Sequence, residues 1–348
     1  MSQNNVLDRF DETVESNLQR LFAVTGRRCY LIGSLHGGFP DLGHHLPGEM
    51  GGIWIAPVKV ADGFWFGLSG RDGAEISWMY GDVCKSFTMR PGRAERTFLM
   101  DVDGANIEAV QEIFVPDDES GVLIEVKLHN RSEQEAKFTL NWLVRWDVQG
   151  AWWSQWPDRS DAVEQVGRGA VGRDTLHNEW CGAAFGEGMP VGFASGADLW
   201  GPEQTGSLIG AIGLTRGGIL PNPDELQGAG ISSQLDYEVD LQAGESKTLK
   251  FSIAGGTGGK DFAAQKAQQM LADFDKLLDE KLKRQEVLVE GMSTIETPAA
   301  EIDRAYAWQN FCLDMMTFDL PGVGLGATAG LPSFVWFFGC DTYYSVSG

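Results

Sequence analysis

Two short stretches of the sequence concentrate aromatic side chains that could bind a ligand. One stretch has three tryptophans within five residues, and the other has several rings close to the end of the chain. These residues are Trp152, Trp153 and Trp156 in the first stretch, and Trp336, Phe337, Phe338, Tyr343 and Tyr344 in the second. Sugar rings present C–H faces that stack on aromatic rings, so this composition favours carbohydrate binding. Packing within a core or an interface is the alternative, and composition alone leaves both open.

Other residue types give weaker chemical signals. His36 and the adjacent pair His44–His45 share a stretch with Asp41 and Glu49, and such a set could hold a divalent ion. Neighbours on an extended chain point to opposite sides, however, so we predict an ordinary polar loop and no metal site. Carboxylates are abundant, but no pair is singled out by spacing as the two acids of a glycosidase. We therefore assign no catalytic residue.

Nucleophile and cofactor motifs are missing from the sequence. There is no GxSxG motif, and GGTGGKD (255–261) lacks the spacing of a phosphate loop. The five cysteines are scattered without CxxC spacing, which argues against a disulfide framework or a zinc site. We predict no cofactor.

The charge balance narrows the class of partner. The 348 residues include 49 acidic and 27 basic side chains, a formal net charge of −22. Nucleic-acid phosphates and anionic membranes would repel such a protein, so we expect neither as a partner. Neutral or cationic small partners fit better, and sugars are neutral. A solvated acidic surface that serves only solubility is the alternative. The first residues are polar and acidic without an apolar leader, and no run of 18 apolar residues occurs, so we predict a cytoplasmic protein.

The elements that must position these residues are mostly strands. From Cys29 to about Ser252, short apolar or alternating runs are separated by turn signals. VLIEVKLHN (122–130), for example, alternates with period two, as a half-buried antiparallel strand does. A dozen such runs without a long helix predict a large two-sheet β-sandwich of about 220 residues. Residues 1–25 fit either a short helix or a pairing arm, and 150–174 interrupts the pattern as a long loop.

Helical spacing begins after GGTGG. Apolar residues over 261–290 follow the 3.6-residue period, which predicts one connector helix. A second helix is predicted over 299–318, and 320–334 is interpreted as a loop. The second helix carries a wide apolar stripe, which we interpret mostly as core. The stripe comprises Ala305, Trp308, Phe311, Cys312 and Met315–Met316.

The C-terminal part carries a family resemblance. TPAAEIDRAYAWQNFCLDMM (297–316), followed by AGLPSFVWFFGCDTYYSV (329–346), resembles the start of the catalytic barrel in bacterial and archaeal glycogen-debranching-type enzymes. These are relatives of amylo-α-1,6-glucosidase within the six-hairpin glycosidase superfamily. GEMGGIWIAPVKVADGFWF (48–66) is similar to sandwich segments of the same proteins. The resemblance implies a mainly β chain with an antiparallel β-supersandwich, a linker helix and the first helices of a truncated (α/α)₆ barrel.

The resemblance also implies domain bounds and site residues. It places the sandwich at 1–255, the linker helix at 256–296 and the start of the barrel at 297–348. Asp341 matches a family aspartate that hydrogen-bonds the terminal sugar, as a carboxylate can. Cys340 stands where the family has an arginine and cannot supply its bidentate fork, and Ser333 stands where an aromatic residue is frequent. Both departures affect the expected specificity for glucose.

Two hypotheses about function follow. In the first, the chain is the front of a glycoside hydrolase that acts on α-linked glucosides by inverting hydrolysis, with catalytic acids beyond residue 348. Asp341, Trp336, Phe338 and the tryptophans at 152, 153 and 156 would then contact an α-glucoside or oligosaccharide. In the second, the chain is a non-catalytic carbohydrate-binding or scaffold module. A truncated barrel would expose apolar surface, which favours self-association through that face.

Overall fold

The computed structural model describes most of the chain. The described residues are 6–39, 51–71, 75–150, 161–196, 199, 231–331, 334–340 and 343. Within them, strands dominate and three α-helices follow. The strands are β1 Glu12–Val14, β2 Leu21–Thr25, β3 Cys29–Ser34, β4 Gly52–Ile55, β5 Val58–Gly70, β6 Ser77–Trp78, β7 Cys84–Arg90, β8 Arg93–Val102, β9 Ala105–Phe114, β10 Gly121–Asn130, β11 Ala136–Gly150, β12 Asp161–Val166, β13 Gly169–Asp174, β14 Cys181–Gly186, β15 Gly192–Gly196, β16 Ser232–Leu241, β17 Ser246–Gly256, β18 Thr317–Leu320 and β19 Gly324–Ala327. The helices are α1 Gly259–Ala272, α2 Phe274–Gly291 and α3 Ala300–Met315.

Two large antiparallel sheets form a sandwich. The nine-stranded sheet has the order β1-β7-β8-β9-β10-β17-β14-β13-β12. The eight-stranded sheet runs β15-β16-β11-β5-β4-β3-β2, with β6 paired to β5. The mainly β character and the large antiparallel sheets predicted from the sequence are thus confirmed. A helical barrel is not seen among the described residues.

The core between the sheets follows from the period-two pattern. In β10, buried apolar residues alternate with more exposed ones from Ile124 to Leu128. Aromatic rings from both sheets meet in the middle: Phe66 stacks on Trp142 with centroids 5.8 Å apart, and Phe251 lies 4.7 Å from Phe66. Trp146 lies against Gly172 and Gly182, where a Cβ atom would collide with the indole. Burying rings of this size is the largest source of stability in such a core.

The N-terminal arm pairs with the sandwich. Residues Glu12–Val14 align antiparallel with Met89, Thr88 and Phe87 at the edge of the nine-stranded sheet. Of the two alternatives for residues 1–25, the pairing arm is therefore correct for its described part. A single 3₁₀ turn, Asp8–Phe10, precedes the strand.

The connector predicted as one helix over 261–290 is two helices. The chain turns at Asp273, whose backbone (φ −92°, ψ 13°) ends α1 and begins α2. Helix α1 packs on the nine-stranded sheet through small residues such as Ala263 and Ala267. The Ser252 hydroxyl in β17 donates to the Ala267 carbonyl at 2.7 Å. Helix α2 begins in the same cluster, through Phe274 and Leu277, and its later residue Val289 packs with Phe10 and Phe311.

Four charged residues join the sandwich to α2 and α3; we call them the clasp. They are Asp117, Lys281, Arg284 and Asp314. Lys281 Nζ donates to Asp117 Oδ1 (2.6 Å) and to the Thr25 carbonyl (2.8 Å). Arg284 binds Asp314 with both Nη atoms at 2.6 Å, and its Nε binds Asp117. This bidentate geometry is the strong form of an ion pair.

The apolar stripe predicted for the second helix is only partly core. Phe311 is buried, packs edge-on against Phe10 at 5.3 Å, and is flanked by Trp308. Ala305 and Cys312 are exposed, because the described residues place nothing over that side of α3. The prediction that most of this stripe is core is therefore wrong for the described residues, where Phe311 is its one buried member.

Two predicted loops contain hairpins. Residues 161–174, expected to be part of a long loop, form β12 and β13, which pair with each other. Residues 320–334, also expected to be a loop, contain β19, which pairs with β18. In both cases the pairing partner supplies order that the short segment itself does not signal. Residues 151–160 of the first loop lie outside the described residues.

Candidate functional site

The outer face of the eight-stranded sheet carries an apolar patch. Residues of β3 and β4 alternate between the core and this face, so Tyr30 and Trp54 point away from the core. Their rings stack with centroids 6.2 Å apart, and Phe318 of β18 meets Tyr30 edge-on at 5.8 Å. Leu320 and Val335 complete the buried part of the patch. The C-terminal segment is therefore seated on the sandwich.

Packing on this apolar patch determines which C-terminal aromatic rings are exposed. Val335 is 4% exposed and Phe337 packs partly against the patch, whereas Trp336 and Phe338 are each 40% exposed. The backbone is held in a narrow loop, because the Ala329 N–H donates to the Trp336 carbonyl at 3.2 Å. Two predicted ligand rings thus have exposed faces on an ordered support. That arrangement could stack a sugar, and their role as sugar contacts stays a prediction.

The other predicted site residues lie outside the described residues. These are Asp341 and the three tryptophans Trp152, Trp153 and Trp156. Their role as contacts to an α-glucoside or oligosaccharide stays a prediction. Cys340, which stands in place of the family arginine, is exposed.

A group of mostly buried charged residues borders the apolar patch; we call it the charged cluster. It consists of Lys59, Asp62, Arg145, Asp147 and Asp161. Lys59 Nζ donates to Asp62 Oδ1 (2.6 Å) and Asp147 Oδ2 (2.8 Å), and both Lys59 and Asp147 are 1% exposed. Arg145 Nε lies 3.4 Å from Asp62 Oδ2. Because Lys59 pairs with Trp54 across β4 and β5, the two features are neighbours.

Local strand irregularities bring these side chains together. The register between β5 and β11 shifts between Arg145 and Trp146, where Asp62 is left without a Cα partner. It shifts again between Trp146 and Gln149, so that Asp147 lies at the second irregularity. Bulges of this kind re-aim side chains and are frequent next to functional sites. Gln149 Nε2 then donates to Asp147 Oδ2 at 3.0 Å.

Burial and nearby like charges raise the pKa values of two acids in the charged cluster. Burial raises the pKa of Asp161 to about 8, and the nearby carboxylates of Asp147 and Asp174 add to this effect. The backbone N–H of Val148, which donates to Asp161 at 3.3 Å, opposes it. Burial also raises the pKa of Asp62 to about 6, although the charge of Lys59 lowers it. Both acids therefore take up a proton more readily than an exposed carboxylate does.

Sequence reasoning missed this cluster. Its signal was present as charged residues inside otherwise apolar strands, in VKVADG (58–63) and VRWDVQG (144–150). Charged residues are almost never buried without a partner, so each one inside a core strand implied a second. Which partners would meet depended on the two bulges, which the local pattern does not reveal.

The histidine prediction is resolved in part. His36 is not in a solvated loop; it is buried, with Nδ1 2.8 Å from the Ser34 hydroxyl and its ring 4.9 Å from Tyr80. Burial and the charge of Arg96 lower the pKa of His36 to about 4, so it is neutral. Among the described residues, no group of acids, histidines and cysteines could hold a metal ion. The other histidines and acids of that stretch lie outside the described residues.

No helix in the described part of the chain is both long and apolar enough to cross a membrane.

Solved structures share the fold. A putative kojibiose phosphorylase from the human microbiome aligns over 85% of this chain and 39% of its own, with 11% identity and a TM-score of 0.53. A bacterial glucoamylase complexed with acarbose aligns over 87% of this chain and 41% of its own, with 9% identity and a TM-score of 0.52. No protein-family model matches the sequence, and the search of curated proteins found no relative.

The structural likeness bears on the resemblance stated from the sequence. At these identities the likeness shows a shared fold, and at the level of the fold the resemblance stated from the sequence is confirmed. The chain spans about two fifths of the length of these structures.

Proposed function

We propose that this chain is the sandwich-bearing portion of a carbohydrate-active enzyme of the glycogen-debranching or α-glucosidase type. In the complete protein, the reaction would be inverting hydrolysis of α-linked glucosides. The observation that carries the proposal is the fold likeness, over 85% and 87% of the chain, to a phosphorylase and a glucoamylase. The motif resemblance at 297–316 and 329–346 supports the same conclusion independently.

The site residues proposed are those on the C-terminal segment. Trp336 and Phe338 present half-exposed rings on a rigid support, as sugar stacking requires. Asp341 follows three residues after Phe338 and would accept hydrogen bonds from sugar hydroxyls. Residues 152–156 would close the pocket from the sandwich side. The net charge of −22 suits a neutral ligand.

The third helix supports the proposed division into a sandwich at 1–255, a linker at 256–296 and a barrel start at 297–348. The clasp holds α3 against the sandwich by one side. On its other sides, Ile302 is 54% exposed and Leu313 is 48% exposed. Large apolar side chains on a fixed helix suit packing against further helices. We therefore assign α3 to a helical catalytic domain.

The test is an activity assay on the 348-residue chain beside the complete gene product. Both are incubated with kojibiose, maltose and malto-oligosaccharides, with and without inorganic phosphate, and free sugar and sugar phosphate are measured. Glucose released without phosphate supports the hydrolase. Sugar phosphate formed only with phosphate supports phosphorolysis instead, a second candidate favoured by the likeness to the kojibiose phosphorylase.

The aromatic site has its own prediction. Replacing Phe338 by Ala in the active form should weaken substrate binding about tenfold, or about 1.4 kcal/mol, since one stacking ring is lost. The matched control is Phe262→Ala on α1, because Phe262 is 41% exposed and Phe338 is 40% exposed. The control should leave binding unchanged. Equal effects of the two variants would remove Phe338 from the site.

The alternative function is a non-catalytic carbohydrate-binding or scaffold module. It predicts sugar binding to the complete gene product, measured by calorimetry, without turnover of any substrate. If the complete gene product neither binds nor converts any sugar of the panel, both the enzyme and the binding module are contradicted.

A further inference from the structure

A cleft that the proposed function does not use lies where the sandwich meets the β18–β19 hairpin. Its volume is about 570 Å³, within the range of about 300–1,000 Å³ typical of small-molecule sites. Arg28, Ala56 and Ser120 line the sandwich side, and Asp319 and Val323 line the hairpin side. None of the residues that line it belongs to the C-terminal aromatic segment 334–340.

The polar groups of the cleft have spare hydrogen-bonding capacity. Arg28 donates from Nε (3.2 Å) and Nη2 (2.9 Å) to a single oxygen of Asp319, Oδ2. Among the described residues, Arg28 Nη1, Asp319 Oδ1 and the Ser120 hydroxyl make no hydrogen bond. The cleft therefore offers a donor, an acceptor and a hydroxyl that can act as either.

The backbone fixes the positions of the two charged residues. The Asp319 N–H donates to the Arg27 carbonyl at 2.7 Å, and the Ala56 N–H donates to the Arg28 carbonyl at 3.2 Å. Asp319 also pairs with Leu325 in the hairpin register. A ligand would thus meet groups that are already held in place, which lowers the entropic cost of binding.

The rest of the wall is apolar or without side chains. Ile55 and Pro321 provide aliphatic surface, and Val323 is 54% exposed. Gly322 and Gly324 have φ values of +75° and +110°, a conformation that favours glycine, so the turn leaves the cleft open. The Arg28–Asp319 pair is neutral overall, which disfavours a charged ligand.

We propose that this cleft is a second carbohydrate site, for an uncharged oligosaccharide. Sugar hydroxyls can donate to Asp319 Oδ1 and accept from Arg28 Nη1, while the C–H surface of the sugar covers Pro321 and Val323. The choice of a sugar over another uncharged, hydroxyl-rich ligand rests on the proposed function. The site would hold a part of the glycan chain away from the proposed site at Trp336 and Phe338.

The test is a titration of the ¹⁵N-labelled protein with maltoheptaose, followed by NMR. The amides of Gly322 and Gly324 report on the cleft, and the indole N–H of Trp336 reports on the aromatic segment. Both sets of signals should shift and saturate. Asp319→Ala should weaken binding at the cleft at least fivefold while leaving the Trp336 titration unchanged.

A matched control and a second variant accompany the test. Arg28 and Asp319 are 49% and 35% exposed, and Arg131 and Glu108 form a pair that is 48% and 33% exposed. Arg131→Ala should therefore leave both titrations unchanged. If Asp319→Ala fails to fold, Val323→Glu, at an exposed position, replaces it and should also weaken binding at the cleft by placing a charge at its mouth.

The outcomes separate this inference from the proposed function. Shifts at Trp336 with silent Gly322 and Gly324 amides would overturn the second site and leave the proposed function standing. Shifts at the cleft that persist unchanged in Asp319→Ala and Val323→Glu would also overturn it. If none of these NMR signals shifts at saturating sugar, the result would count against both the second site and the proposed function.

Discussion

The charged cluster and the clasp are both networks of ion pairs, yet they differ in charge balance. Within the described residues, the clasp joins two acids, Asp117 and Asp314, to two bases. The charged cluster has two bases and three acids, and the carboxylate of Asp174 also acts on Asp161. In the clasp each acid faces a cation, although burial still lowers the pKa of Lys281. In the charged cluster, an acid excess in a buried place favours uptake of a proton.

The pKa values of the acids follow this difference. In the clasp, burial alone would raise the pKa of Asp314, but hydrogen bonds from Arg284 and its charge outweigh burial and lower it. In the cluster, burial raises the pKa of Asp161 to about 8 and that of Asp62 to about 6. The two networks should therefore respond to pH in opposite directions.

Removing the central cation of the cluster should give the largest effect. Lys59→Met leaves several buried carboxylates with Arg145 as the remaining cation in the cluster, and we expect a loss of roughly 3–5 kcal/mol in the free energy of unfolding. The measurement is urea unfolding followed by fluorescence at pH 7.

Lys137→Met serves as the control for this variant. Lys137 lies in β11 of the same sheet, but its pair with Glu135 is 51% and 40% exposed. The control should change the free energy of unfolding by less than about 0.5 kcal/mol, because exposed pairs contribute little. Adding Asp147→Asn to Lys59→Met should recover part of the loss. A single-variant loss as small as that of the control would mean that the cluster is hydrated and behaves like surface charge.

Breaking the clasp should have a smaller and local effect. Arg284→Met removes the bidentate pair with Asp314, and Arg284 is 26% exposed, so solvent screens part of the interaction. We expect a loss of roughly 1–3 kcal/mol. Hydrogen exchange should become faster in α3, while the strands of the sandwich keep their protection.

Arg304→Met is the comparison within α3 itself. Arg304 is 50% exposed and lies 3.5 Å from Glu12, a weak surface pair. Its removal should leave exchange in α3 unchanged. Faster exchange throughout the sandwich in Arg284→Met would instead show that the clasp stabilises the whole chain.

The two networks also mark what could be predicted from the sequence. The strands could be predicted, because alternation along β10 is a local property of nine consecutive residues. The clasp and the cluster could not, because Asp117 meets Arg284 across 167 positions and Lys59 meets Asp147 across 88. The hairpins at 161–174 and 320–334 were missed although their pairing is local, and β13 gains a more distant partner in β14.

The candidate site likewise has one part that the sequence predicts and one part that depends on tertiary packing. The aromatic composition of 334–340 indicated ligand rings, and the structure shows that Trp336 and Phe338 have exposed faces. Which of these rings are exposed depends on the patch of Tyr30, Trp54 and Phe318, and this patch forms only when β3, β4 and β18 pack together. The break at Asp273 likewise lies where Leu271 and Phe274 both pack into one cluster on the nine-stranded sheet.

The smallest predicted effect separates the two networks by pH. When the pKa of a carboxyl is higher in the folded than in the unfolded state, the free energy of unfolding falls as pH rises between the two pKa values. For Asp161 these values are about 4 and about 8. Asp161→Asn removes this cost and keeps an acceptor for the Val148 N–H, so it should stabilise the protein at pH 8 by on the order of 1–2 kcal/mol and leave stability at pH 4 nearly unchanged. Asp314 should make the free energy of unfolding change with pH in the opposite direction. Its stabilising effect is present above about pH 4 and is lost as pH falls through its lowered pKa. Unfolding free energies of the wild type, Asp161→Asn and Asp314→Asn between pH 3 and pH 8.5 test both. Parallel curves for all three proteins would mean that neither acid is linked to folding and that the contrast between the networks has no energetic basis.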